Sequence, residues 1–245
     1  MQRIAADVGF SETAFVAPLH GSERTVRYFS PEIEVPFCGH ATIALGVVLG
    51  SDAGEATYQL TTPAGIVPMT VNSREGHSEV SLRTVDTKQK SVPDAVLEEA
   101  LSALRWGRDE LDPTIPPVFA FAGIWHLVIA VAAAERLAEL DYDFERLKRL
   151  MRREGLMTLQ LIWREDDCLF HSRNPFPVGG VVEEPATGSA AAALGGYLRD
   201  AGLVGAPASF VVRQGETMGR PSFIKVDVPQ TGGIVFSGSA VKLEA

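Results

Sequence analysis

Gly39–Leu49 of this chain reads GHATIALGVVL, and Gly188–Leu198 reads GSAAAALGGYL. Gly39 aligns with Gly188, Ala41 with Ala190, Ala44-Leu45-Gly46 with Ala193-Leu194-Gly195, and Leu49 with Leu198. Side chains this small let other backbone approach a helix from most directions, which suits a helix enclosed by a sheet rather than one lying on a surface. A recurring segment of this kind implies two copies of one module. Chance similarity between two Ala/Gly-rich helices is the competing explanation. Under the duplication, the proline-rich stretch Asp112–Pro117 (DPTIPP) is the natural linker, dividing residues 1–112 from residues 113–245.

Around the repeat the pattern is mixed. Gln2–Val8 reads as a helix end closed by Gly9, Pro93–Arg105 carries apolar residues at helical spacing, and Phe144–Glu154 reads as a helix stopped by Gly155. Strands are expected at Thr13–Ala17, Thr25–Phe29, Val80–Leu82, Trp125–Val131, Leu159–Trp163, Leu169–Ser172, Ser209–Arg213, Phe223–Val228, Ile234–Ser237 and Val241–Leu243. Tyr58–Thr62 and Ile66–Val71 flank a Pro-Ala-Gly turn and read as a hairpin. Helices and strands do not alternate regularly, so the class is α+β rather than a doubly wound parallel sheet.

Composition removes several functions. The net charge is −9 and the basic residues are scattered, so no nucleic-acid-binding stripe exists. No apolar run approaches the length of a membrane span, and the start lacks the pattern of a secretory signal, so a cytoplasmic protein without a membrane partner is expected. Cys38 and Cys168 and the five histidines show no metal-ligand spacing, so no metal is expected.

Both repeated helices start at a glycine that follows a polar or thiol residue, Cys38-Gly39-His40 and Thr187-Gly188-Ser189. A helix start offers unpaired N–H groups and partial positive charge, and glycine leaves those donors open to a ligand. Two such ends facing one cleft would hold a carboxylate or an enolate-like intermediate. Ordinary capping by Ser189 or Thr187 is the alternative reading of each end taken alone.

These motifs also carry a resemblance. Pro36-Phe37-Cys38-Gly39-His40-Ala41-Thr42 resembles the first-domain signature of the PhzF-like, phenazine-biosynthesis isomerase family. Glu184-Pro185-Ala186-Thr187-Gly188-Ser189-Ala190, preceded by Arg173–Pro177, resembles its second. Ser11-Glu12-Thr13-Ala14-Phe15-Val16 is similar to the strand bearing the family's catalytic glutamate, and Gln214-Gly215 with Met218–Ser222 to its C-terminal segment. The resemblance implies a diaminopimelate-epimerase-like fold of two pseudo-symmetric domains, each a β-barrel-like sheet around a central helix, with the site at the cleft between them. It implies Glu12 as general acid/base, with His40 and Glu184 as further catalytic groups. Gly39, Gly188, Ser189 and Thr187 are the implied contacts to a small carboxylate of dihydro-hydroxyanthranilate type. No cofactor is implied, and homodimerisation fits the family. On chemical grounds burial is expected to raise the Glu12 pKa toward neutrality. His126 reads as a structural histidine first and a substrate contact second. Arg27, Arg173 and Arg220 are each able to clamp a carboxylate.

The chain departs from the family pattern in three places. Family members usually begin several tens of residues earlier, with a strand and a Gly-Asn-Pro loop; without that strand a bare sheet edge and a missing wall of the site are expected. Glu184 stands where aspartate is usual, and Pro175 adjoins the usual aromatic residue. Two rival functions follow. One is a racemase using paired cysteines, for which Cys38 fits and Thr187 does not. The other is a binding protein that retains the cleft without turnover.

Overall fold

The computed structural model describes residues 1–18, 20–74 and 77–241. The first half holds α1 (Gln2–Val8), β1 (Thr13–Pro18), β2 (Glu23–Phe29), β3 (Glu34–Val35), α2 (Gly39–Ala53), β4 (Ala56–Thr62), β5 (Gly65–Arg74) and β6 (His77–Arg83). The second holds β7 (Lys88–Ser91), α3 (Asp94–Leu104), β8 (Val118–Phe121), β9 (Trp125–Ala130), α4 (Ala134–Ala138), α5 (Phe144–Glu154), β10 (Thr158–Arg164) and β11 (Leu169–Pro175). It continues with β12 (Glu183–Glu184), α6 (Gly188–Asp200), β13 (Ala208–Gln214) and β14 (Ser222–Val228), and β15 (Val235–Gly238) ends the described elements. The long path through the sheet is β1-β2-β4-β5-β6-β15-β14-β13-β11-β10-β9-β8-β7. β15 pairs with both β14 and β6, so the last strand stitches the halves together.

The duplication is visible as topology. In the first half β2 pairs antiparallel with the short β3, the chain enters α2, and β4 returns parallel to β2. In the second half β11 pairs antiparallel with the short β12, the chain enters α6, and β13 returns parallel to β11. Each central helix packs inside its own sheet, α2 on β5 and β6, α6 on β8 and β14. The repeated glycines permit this. A Cβ added at Gly46 would lie 2.7 Å from both methyls of Val80, and one at Gly195 would lie 3.0 Å from a Val226 methyl.

The two wrappings are unequal. Every residue of α6 from Gly188 to Leu198 is buried. Helix α2 keeps Val48 61% exposed, and β1, at one end of the sheet, leaves Val16 41% exposed. The core is otherwise continuous across the halves, running from Val26 and Tyr28 to Ile234 and Phe236.

Several expectations need correcting. Asp112–Pro117 is not a free linker: the Asp112 N–H donates to the Ala130 carbonyl, Ile115 is buried, and the Pro116 carbonyl accepts from the Tyr197 hydroxyl at 2.7 Å. β7 is laddered to β8, and α3 packs on α5. Of the strand expected at Val241–Leu243, Val241 belongs to no element and the rest lies outside the described residues.

The unequal wrapping makes a prediction. Leu45 and Leu194 are repeat equivalents, partly buried and fully buried respectively. Leu194→Ala should cost about 2–5 kcal/mol, and Leu45→Ala clearly less, in urea melts of the two variants. Equal losses would mean that the two helices are equally enclosed.

Candidate active site

The N-termini of α2 and α6 meet. A Cβ on Gly39 would stand 3.4 Å from the Gly188 Cα, and one on Gly188 would stand 2.3 Å from the Phe236 ring. Neither helix receives a side-chain cap at its first turn. The first turns of both helices thus lie beside one seam with no side-chain cap.

Glu12 sits at this seam, just before β1, with its side chain 3% exposed. Its Oε2 lies 3.2 Å from His40 Nε2, yet the approach is not aligned for a hydrogen bond and this buried oxygen has no other well-formed one. His40 Nε2 also lies 3.2 Å from Ser11 Oγ, and the ring is hydrogen-bonded to the Ala186 backbone of the other half. Cys38 Sγ is 3.4 Å from His40 Nδ1 and 3.6 Å from Nε2. Glu184, on β12, faces Glu12 from the second half.

Glu184 is itself clamped. The Thr187 hydroxyl donates to its Oε2. Gln214 Nε2 donates to the Glu184 carbonyl at 2.8 Å and to Thr187 Oγ1 at 3.0 Å, while the Thr187 N–H donates to Gln214 Oε1 at 3.0 Å. Thr187, expected to contact substrate, has both its hydroxyl and its amide bonded within the protein. The start of α2 is anchored similarly, with Thr42 Oγ1 donating to the Cys38 carbonyl at 2.6 Å and Tyr28 supporting Thr42.

The charge distribution differs from expectation. Burial pushes both carboxyls up, but at Glu12 the close approach and charge of His40, with help from Glu184 and Ser11, outweigh it and hold the group below its ordinary value. At Glu184 burial and the negative charge of Glu12 act together, and its pKa stands well above 4.5. His40 is drawn up by Glu12 despite its burial. Two carboxyls this close cannot both ionise readily. Of the pair, Glu12 is thus the group that ionises first and Glu184 the one that holds its proton longer, with His40 drawn toward its charged form beside Glu12. Burial, followed by repulsion from both glutamates, keeps the Cys38 thiol protonated.

Glu12, His40, Glu184, Gly39, Gly188, Ser189 and Thr187 all line one small pocket, joined by Cys38, Ile124 and Met157. The room inside is about 10 Å³, on the order of one water molecule. A hollow of about 240 Å³ adjoins it beside Ser11, Pro185 and Arg220. Arg220 stacks over Phe10 there, whereas Arg27 is paired with Glu34 and Arg173 with Glu183. His126 is structural: it is buried, hydrogen-bonded to Thr158 Oγ1 at 2.8 Å, and lowered by desolvation to a pKa of about 3. Sequence reasoning missed Gln214 as the clamp on Glu184, although the Gln214-Gly215 motif marked the segment. It also missed that Glu12, Cys38 and His40 each bring a ligand-type atom within 4.8 Å of the others, because residues 12, 38 and 40 form no spacing motif.

A family model described as phenazine biosynthesis-like protein matches residues 1–245. An uncharacterized isomerase of Deinococcus radiodurans is 34% identical over 240 residues, covering 95% of this chain and 78% of that protein. A phenazine biosynthesis protein of the PhzF family from Bacillus anthracis superposes with a TM-score of 0.85 at 24% identity, covering 100% of this chain and 86% of the other. A structure from Pseudomonas aeruginosa described as a predicted epimerase gives 0.86 at 24% identity, covering 100% and 88%. At that identity the two structures speak for the fold. Among the described residues no helix is long and apolar enough to cross a membrane.

The protonation pattern has a thermodynamic consequence. Glu184, raised in the native state, contributes stability that is complete below its unfolded value and is lost as pH climbs toward its native value. Glu12, lowered, contributes stability present above its unfolded value and lost as pH falls through the native one. Glu184→Gln mimics the neutral acid. Its melting temperature relative to wild type should therefore shift in the variant's favour from about pH 5 to about pH 8. A shift in the opposite sense would mean that Glu184 is ionised in the native protein.

Proposed function

Given that the chain belongs to the phenazine biosynthesis-like family of isomerases, we propose that it moves a proton between two carbons of a small carboxylate, with Glu12 as the general acid/base. The observation that carries this reading is a buried carboxyl, Glu12, beside His40 at the meeting point of two helix N-termini without side-chain caps.

The chemistry follows from the positions. A hydrogen on carbon next to a carboxylate or a conjugated double bond is acidic only if the resulting negative charge is held. The first-turn amides of α2 and α6, at Gly39, His40, Gly188 and Ser189, supply donors for that charge. Glu12 is already ionised and so is ready to accept the proton. Because His40 and its neighbours lower its basicity, the helix ends must carry much of the driving force, a contribution of about 10²–10³-fold for each such donor. Glu12 then returns the proton to another carbon on the same face. Glu184, which faces Glu12 and holds its proton to higher pH than an ordinary carboxyl, is the natural reservoir for that exchange, and Thr187 and Gln214 hold it in place. A substrate of ring size exceeds the room in the pocket, so binding requires the two halves to part.

Thiol chemistry fits poorly. Cys38 is held protonated, and its counterpart Thr187 has its hydroxyl bonded to Glu184. A dihydro-hydroxyanthranilate-like carboxylate is the substrate class that the family resemblance favours.

The test is proton exchange. In deuterium oxide, a ring carboxylate of this class should take up deuterium at carbon, and Glu12→Gln should slow uptake by about 10²–10⁴-fold while binding persists in calorimetry. Binding without any uptake in the wild-type protein would favour a non-catalytic relative. A larger loss in Cys38→Ser than in Glu12→Gln would favour a thiol base.

A further inference from the structure

We propose that Glu12, Cys38 and His40 form a binding site for a thiophilic divalent cation of the zinc type, and that its occupancy shuts the active site. Binding stands on geometry alone; the inhibitory half rests on the proposed role of Glu12.

The three ligand atoms lie within 4.8 Å of one another. With ordinary bonds of about 2.3 Å to sulfur and about 2.0–2.2 Å to nitrogen and oxygen, the edges of a tetrahedral site come to roughly 3.5 Å for S···N and roughly 3.4 Å for N···O. The protein holds Cys38 Sγ 3.6 Å from His40 Nε2, and Glu12 Oε2 3.2 Å from the same nitrogen. Two edges of the triangle are thus close to coordination distances, and the third, Cys38 Sγ to Glu12, lies within 4.8 Å.

A second observation points the same way. Glu12 Oε2 is buried, faces the cluster, and has no aligned hydrogen bond, although His40 and Glu184 stand beside Glu12. Buried oxygens of this kind are uncommon, and a cation would satisfy it. The imidazole is also bonded to the Ala186 backbone, the type of outer partner that orients a ligating histidine.

The donor set selects the metal. One sulfur, one imidazole nitrogen and one carboxylate oxygen suit zinc and similar cations, with a fourth position open toward the pocket. Magnesium and calcium, which take six or more oxygen ligands, meet sulfur and nitrogen in this cluster and only the Glu12 carboxylate among its three donors. On binding, the Cys38 thiol gives its proton to solvent as the sulfur–metal bond forms. His40 binds through a neutral ring, so an imidazolium at this position releases its Nε2 proton to solvent as well, and the two negative ligands balance the 2+ charge. No oxidation state changes. A cation so held occupies the carboxylate that would accept the substrate proton.

The test uses the whole chain, freed of metal by chelator. Cobalt(II) should produce a thiolate-to-cobalt charge-transfer band in the near ultraviolet, displaced by zinc and unaffected by magnesium. Cys38→Ser should abolish the band, and Cys168→Ser should leave it intact. Loss of an outer partner alone costs about 10–100-fold in affinity, so Glu12→Gln and His40→Asn should each weaken zinc by at least about a hundredfold. Circular dichroism melts identify any variant that fails to fold, and the two remaining ligand variants then carry the comparison. Deuterium uptake should stop with zinc and return with chelator. A band that survives Cys38→Ser, one that vanishes in Cys168→Ser, or no zinc binding in calorimetry overturns the site. Zinc that binds through Cys38 yet leaves uptake unchanged overturns the inhibition. If the protein shows no uptake with any carboxylate, the isomerase reading fails while the cobalt band still decides the site.

Discussion

The contact between Gly39 and Gly188 governs the arrangement of everything around it. With no side chain on either residue, two helix ends and the Phe236 ring share a space that one added carbon would close. The strand carrying Phe236 is the one that joins the halves, so the fold is tied together at the place where its two helices touch. Like partial charges are thereby brought close, an arrangement unfavourable in isolation. Such a meeting is tolerated where negative charge is also present, and Glu12 supplies it.

The duplicated modules have become chemically unlike. Extended backward from the glycines, the repeat aligns Val35-Pro36-Phe37-Cys38-Gly39-His40 with Glu184-Pro185-Ala186-Thr187-Gly188-Ser189. A buried valine in one copy is a buried glutamate in the other, and a thiol is matched by a hydroxyl. The copies share a scaffold and have divided the polar groups between them. Glu12 comes from outside the repeat, and it completes a pair whose members are shifted in opposite directions because they differ in neighbours: His40 lowers one, and desolvation with the charge of Glu12 raises the other.

Much of this was legible in the sequence, because small residues at matched spacing leave a trace that side-chain chemistry does not blur. The repeat located both helices and both glycines, and Phe144–Glu154 was found to the residue from its apolar spacing and closing glycine. Elements without periodicity escaped. β3 and β12 are two residues each, too short to alternate, although β12 carries Glu184. β7 reads KQKS and is exposed along its length, so nothing in it signals a strand. Asp112–Pro117 suggested a linker because prolines punctuate both loops and packed corners, and only the burial of Ile115 separates the two cases. The direction of the Glu12 shift was misjudged for a related reason. Burial is visible in a pattern of apolar neighbours, but the imidazole that outweighs it lies 28 residues along the chain.

The uneven enclosure of the two helices gives the halves different mechanical characters. α6 is gripped on all sides, so Glu184 and its clamp ride on a stiff body. α2 has a face turned to solvent, and local opening requires less apolar contact to be broken there. Any opening at the seam is therefore resisted unequally, less in the packing of α2 than in that of α6. Amide protons on the outer face of α2 would trade with water well before those of α6, so the side of the seam that starts at Cys38 is the one that yields first.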